Sequence, residues 1–136
     1  MRLTQFDLIL FFFPAILSLG VALFAWQYRS NRGGTPLLVH ALGSAVWILS
    51  YGAGTRLDSQ LVVPGLLGIS WLAASVVSIS GMYVAVEYTE RAWFERPLVL
   101  GGVGGYLCLE ALMIGLNPGG LFYTRTPTVV KDGLPV

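Results

Sequence analysis

One acid, Glu110, interrupts an otherwise uncharged apolar stretch between Pro97 and Leu116. A carboxylate at such depth in a bilayer costs about 2.5 to 3.5 kcal/mol on insertion scales, so it must face protein or water, or carry a proton. Two readings stand side by side: a proton, ligand or partner-helix contact, or a buried acid hydrogen-bonded to a neighbouring helix. A second set, His40, Ser44, Trp47 and Tyr51, recurs at spacings of four, three and four, which puts all four on one face of a helix. Such a face can line a pocket, with polar groups fixing a ligand and rings stacking on it; it can equally be an aromatic seam inside a bundle. Trp71 joins these as a ligand-binding or signalling candidate.

Other chemistry is not expected. His40 is the single histidine, and no Cys or carboxylate stands three or four residues from it, so no metal site is predicted. Cys108 is the single cysteine, which excludes an internal disulfide and reads as a small packing residue. Glu87 and Glu90, three residues apart at a helix end, read as a solvated face. Gly101-Gly102-Val103-Gly104-Gly105 has no Lys, Ser or Thr after it and is no phosphate loop. Its Gly101-x-x-x-Gly105 spacing is a helix-packing pattern, compatible with a homodimer or a hinge. No catalytic residues, no cofactor and no nucleic-acid partner are expected.

These residues must be held by membrane helices. Of 136 residues, 55% are hydrophobic and 11% charged, with mean hydropathy +0.73; soluble domains carry about 25% charged residues. Residues 59–86 run for 28 positions without a charge, against about 20 needed to cross a bilayer. The sequence predicts an all-α antiparallel bundle of four transmembrane helices, at about 5–28, 35–55, 61–88 and 97–116. Residues 1–124 form the membrane domain, and 125–136 an extracytoplasmic loop or irregular tail with a short extended piece near Val130.

Helix one is expected as a retained span rather than a cleaved signal, because Asp7 interrupts its start and its apolar run is long. Pro14 should bend it. Ala15, Ser18, Ala22 and Ala25 give it a narrow small-residue face. Thr35 is the expected N-cap of helix two, with Pro36 as its first residue. Ser70, Ala74, Ser78, Gly81 and Ala85 make a second small stripe on helix three. Trp93 and Phe94 are expected in the headgroup zone. Pro97 opens helix four, and Asn117-Pro118-Gly119-Gly120 stops it. Arg29, Arg32, Arg91 and Arg96 lie on one side, against Arg2 and Arg56 with Arg125 and Lys131 in the tail, so the N-terminus is expected outside the plasma membrane.

Three local patterns then coincide: Val46-Trp47-Ile48-Leu49-Ser50-Tyr51, Glu87-Tyr88-Thr89-Glu90-Arg91, and Asn117-Pro118-Gly119-Gly120-Leu121-Phe122-Tyr123. In this order the chain, from about residue 8 to 124, resembles the N-terminal seven-helix membrane region of prokaryotic sensor histidine kinases. The resemblance implies a signal-sensing input module of a two-component system. Its partners would be the lipid bilayer, three further helices and a kinase domain. These 136 residues hold no phospho-acceptor domain or ATP site, which implies either a fragment or a reduced gene. The chain departs from the family at Gly54, often an acid, and at Gly120, often a histidine. Two rivals remain from other classes: a small proton-coupled transporter using Glu110, and a non-catalytic subunit of a membrane complex.

Overall fold

The computed structural model describes residues 5–55, 57, 62–89, 96–120, 130–131 and 134–135. Four helices follow one another: α1 (Gln5–Gln27), α2 (Gly34–Gly54), α3 (Val62–Thr89) and α4 (Pro97–Leu116). Each is long and apolar enough to cross a membrane. A 3-10 turn, Pro118–Gly120, follows α4, and β1 (Val130–Lys131) pairs antiparallel with β2 (Leu134–Pro135). Val130 of the expected extended piece therefore lies in β1. Arg2, Arg56, Glu90, Arg91, Trp93, Phe94, Leu121, Phe122, Tyr123 and Arg125 lie outside the described residues.

The bundle is inside out relative to a soluble protein. Its buried apolar residues are mostly small (Ala15, Ala22, Ala25, Ala41, Ala45 and Ala73, with Val86 and Ile114), while Phe13, Leu23, Phe24, Leu98 and Leu116 are exposed. In water such a surface would be an aggregation liability. In lipid there is no hydrophobic drive between helices, so close backbone approach through small residues does the packing. The small face expected on α1 is the one buried: Ala15, Ala22 and Ala25 are at most 4% exposed, with Ser18 half-buried. Helix α1 runs unbroken through Pro14.

The turn from α1 to α2 corrects one expectation. Thr35 is not the N-cap. Gly33 is, with φ of +73°, and the helix begins at Gly34, so Pro36 falls in the third helical position. The Thr35 hydroxyl instead donates to the Arg29 carbonyl at 3.0 Å. Sterics decide this. A Cβ at Gly34 would lie 2.2 Å from the Tyr28 carbonyl oxygen, so only glycine lets the chain reverse this tightly. The Arg29 guanidinium closes the end of α1, donating to Trp26 O at 2.9 Å and lying 4.3 Å from the Trp26 ring centre.

Helix α2 lies antiparallel on α3 along its length. Gly43 meets Val76 and Val77, and Gly54 meets Leu67. A Cβ at Gly54 would stand 3.1 Å from Leu67 Cδ2, so the two helices approach closely there. Helix α4 is opened by Pro97 at its first turn and closed by Asn117 in a left-handed conformation. It packs lightly on α3, and Ile114 is its single buried residue.

Candidate functional site

Three polar contacts between parts of the chain far apart in sequence bear on the candidate residues. The first is in the middle of the bundle. Ser75 Oγ on α3 donates to Glu110 Oε1 on α4 at 2.7 Å. Glu110 Oε2 is buried and has no hydrogen-bond partner among the described residues. The two oxygens of one carboxyl group are thus in unlike states. A buried oxygen without a donor costs about 1 to 3 kcal/mol, so the site is set to accept one more hydrogen bond.

The second contact is between α2 and α3. His40 Nδ1 lies 3.0 Å from the Val77 carbonyl oxygen. A carbonyl only accepts, so Nδ1 carries the hydrogen, which leaves Nε2 as the acceptor in a neutral ring. Gly81 makes room for this ring: a Cβ there would be 3.3 Å from His40 Nδ1. Ser44 spends its hydroxyl on its own helix, donating to His40 O at 2.9 Å. The structure therefore splits the four-residue face of α2. His40 and Ser44 are half-buried, whereas Trp47 and Tyr51 are 43% and 49% exposed. Trp71 is also exposed.

The third contact corrects the reading of Glu87 as a solvated acid. Glu87 is half-buried, and its Oε2 accepts the backbone N–H of Gly33. The Tyr88 ring covers the same glycine, with Cε2 2.8 Å from where a Cβ would stand. The end of α3 thus grips the turn between α1 and α2 and places a carboxylate at the N-terminus of α2, where the helix dipole favours it. The sequence offers two features that could locate this contact, the Glu-Tyr-Thr exit of α3 and the Gly33-Gly34 pair, but Thr35 is the cap it predicts for α2 in place of Glu87.

A cleft of about 310 Å³ opens between α2, α3 and α4. Its polar lining is Thr35, Ser80, Tyr83 and Glu87; Pro36, Val39, Val76, Ile79 and Leu107 supply the rest. Gly101, Gly102, Gly104 and Gly105 each have open space where a Cβ would stand. Gly101 and Gly105 are exposed, as is Ser78, while Ala74 and Gly81 are half-buried. The buried positions of α3 are Gly68, Ser70, Ala73, Ser80 and Val86. No group of three or more metal-ligating side chains occurs among the described residues.

Four bilayer-length helices, apolar outside and with polar contacts held between them, define a multi-pass membrane module. The chain belongs to the family described as the N-terminal 7TM region of histidine kinase, whose model matches residues 10–136. Its place is the membrane-embedded input region of a sensor kinase. No curated protein and no solved structure matches the chain.

Proposed function

We propose that the module senses a stimulus within the bundle and passes it on as a change in how α4 packs against α3. The observation that carries this reading is the Ser75–Glu110 pair. It is a hydrogen bond between α4 and α3, and it leaves Glu110 Oε2 buried without a donor. A ligand, proton or partner helix that supplied the missing donor would favour one packing over another, which is all a population shift requires. His40, with Nε2 left as an acceptor, is the second residue in this account; Trp47, Tyr51 and Trp71 offer ring surfaces to an approaching ligand or helix. Gly101 and Gly105 on α4, with Ala74, Ser78 and Gly81 on α3, are the packing positions of the helices that complete the seven. Residues 1–124 form the membrane domain, with 125–136 in an extracytoplasmic loop. The N-terminus lies outside, because Arg29, Arg32, Arg91 and Arg96 fall on the opposite side.

The test is autophosphorylation of the full-length kinase in vesicles, with and without its stimulus, for wild type and Glu110→Gln. Glutamine keeps an acceptor for Ser75 and replaces the other oxygen by a donor, so the stimulus response should be lost or locked. An unchanged response removes Glu110 from the account. Orientation is read separately, by labelling Asn31→Cys in a Cys108→Ser background with an impermeant maleimide; labelling from outside intact cells reverses the assignment.

A further inference from the structure

We propose that the cleft between α2, α3 and α4 binds a single-chain amphiphile with a primary amine head, its amine at Glu87 and its chain running inward past Ile79 to Leu107. The geometry has two ends. Val76, Ile79, Tyr83 and Glu87 recur along one face of α3, spanning twelve residues or roughly 16 Å of helix. Toward the middle of the bundle the walls are Val39, Val76, Ile79 and Leu107, with Ser80, whose hydroxyl donates to its own helix at Val76 O. Toward the end of α3 they become Tyr83, Glu87 and, across from them, Thr35. This is the gradient a molecule meets when its tail lies in hydrocarbon and its head at the interface.

The gap has a cause in the sequence. Ser75 stands opposite Glu110 and Gly68 opposite Ile114, so antiparallel register brings Gly101–Gly105 level with about residues 78 to 84 of α3. This part of α4 is four-fifths glycine and contributes almost no bulk where the cleft opens. The remaining space suits one chain. At about 310 Å³ it lies at the smallest end of ligand pockets, which run from about 300 to 1,000 Å³.

Charge selects the head. Glu87 is the one acid among the lining residues. Gly33 N–H occupies one site on its Oε2, and a carboxylate has about four lone-pair sites, so acceptor capacity remains for a cation. An alkylamine donates three hydrogens to such acceptors; an alkyl carboxylate or sulfate donates none at neutral pH and would be repelled. Because the cleft touches three helices at once, an occupant would also hold α4 against α2 and α3. That consequence rests on the sensory reading above, whereas binding itself does not.

The experiment uses the full-length protein in vesicles and a photoreactive medium-chain alkylamine, with the matching alcohol and carboxylate as controls. Saturable amine labelling should map to peptides of α3 and α4 that contain Ile79 and Leu107. Ile79→Trp, or Val39→Trp should the first fail to fold, should cut it by about tenfold or more, since either indole fills the chain's place. Glu87→Gln keeps an acceptor for Gly33 and should cut amine labelling by about tenfold while leaving alcohol labelling unchanged. Labelling that does not saturate, survives both tryptophan variants, or favours the carboxylate overturns the proposal. Saturable labelling without any change in autophosphorylation would keep the site and reject its hold on α4; an unchanged stimulus response in Glu110→Gln would reject the sensory reading and leave the site standing.

Discussion

Helices α1 to α3 and helix α4 are built by different means. The first three approach at glycines and alanines, share a turn that only glycine can make, and bury a seam of mostly small residues. Helix α4 buries Ile114 and meets α3 through the Ser75–Glu110 hydrogen bond, and its first half is largely exposed. Dispersion and close approach are the main attractive terms between helices in lipid. A helix with few such contacts is therefore the one whose position a small free-energy difference can change. The three-helix part is a frame, and α4 is the element available to respond.

That contrast can be broken by substitution. The largest effect is expected at Gly34→Ala. Its Cβ would meet the backbone at Tyr28 and Arg29, which cannot rotate away, so a loss of about 3 kcal/mol or more is expected, seen as loss of monodisperse protein on size exclusion. Gly68→Ala comes next. Its Cβ would stand 2.8 Å from Ile114 Cγ2, the tip of a side chain, so about 1 to 2 kcal/mol is expected. The readout is faster hydrogen exchange in α4, with α1 and α2 unchanged. If Gly68→Ala instead unfolds the protein as thoroughly as Gly34→Ala, frame and α4 are one unit.

Ser75→Ala should cost a similar or smaller amount, about 1 to 2 kcal/mol, by leaving both oxygens of Glu110 without this donor. A double-mutant cycle with Glu110→Ala, which removes the acceptor, checks it; additive effects would mean the hydrogen bond contributes nothing of its own. The smallest effect is expected for Gly101→Ala with Gly105→Ala. Neither Cβ meets anything within 4 Å, and each change raises helix propensity by about 1 kcal/mol. Thermal stability in detergent should hold or rise slightly. A clear loss in the full-length protein would show that these glycines receive another helix.

The neighbourhood of Glu110 shows how far linear order reaches. An acid among apolar residues announces itself, because its cost in lipid depends on depth alone. Its partner does not: Ser75 is one of several serines on α3, and Ser70, Ser78 and Ser80 all donate back to their own helix. Only the register between α3 and α4 selects Ser75. Glu87 was misread for a related reason. At a helix end an acid is ordinarily wet, and the turn it holds lies 54 residues away in the chain. On α2, regular spacing put Trp47 and Tyr51 with His40, but a helix in lipid gains little from turning its rings inward, so they stay outside while His40 follows the Val77 carbonyl.

The amino-acid order by itself determined the four spans, their ends at Pro97 and Asn117, the small-residue seam of α1 and the family. These depend on hydropathy, backbone sterics and local motif, all written within about 20 consecutive residues. Tertiary structure alone decided that Glu110 meets Ser75, that Glu87 holds Gly33, and that a cleft lies beside the glycines of α4. In a bundle apolar on every side, lipid-facing and protein-facing residues look alike in sequence. Only the way neighbouring helices stand against each other tells them apart.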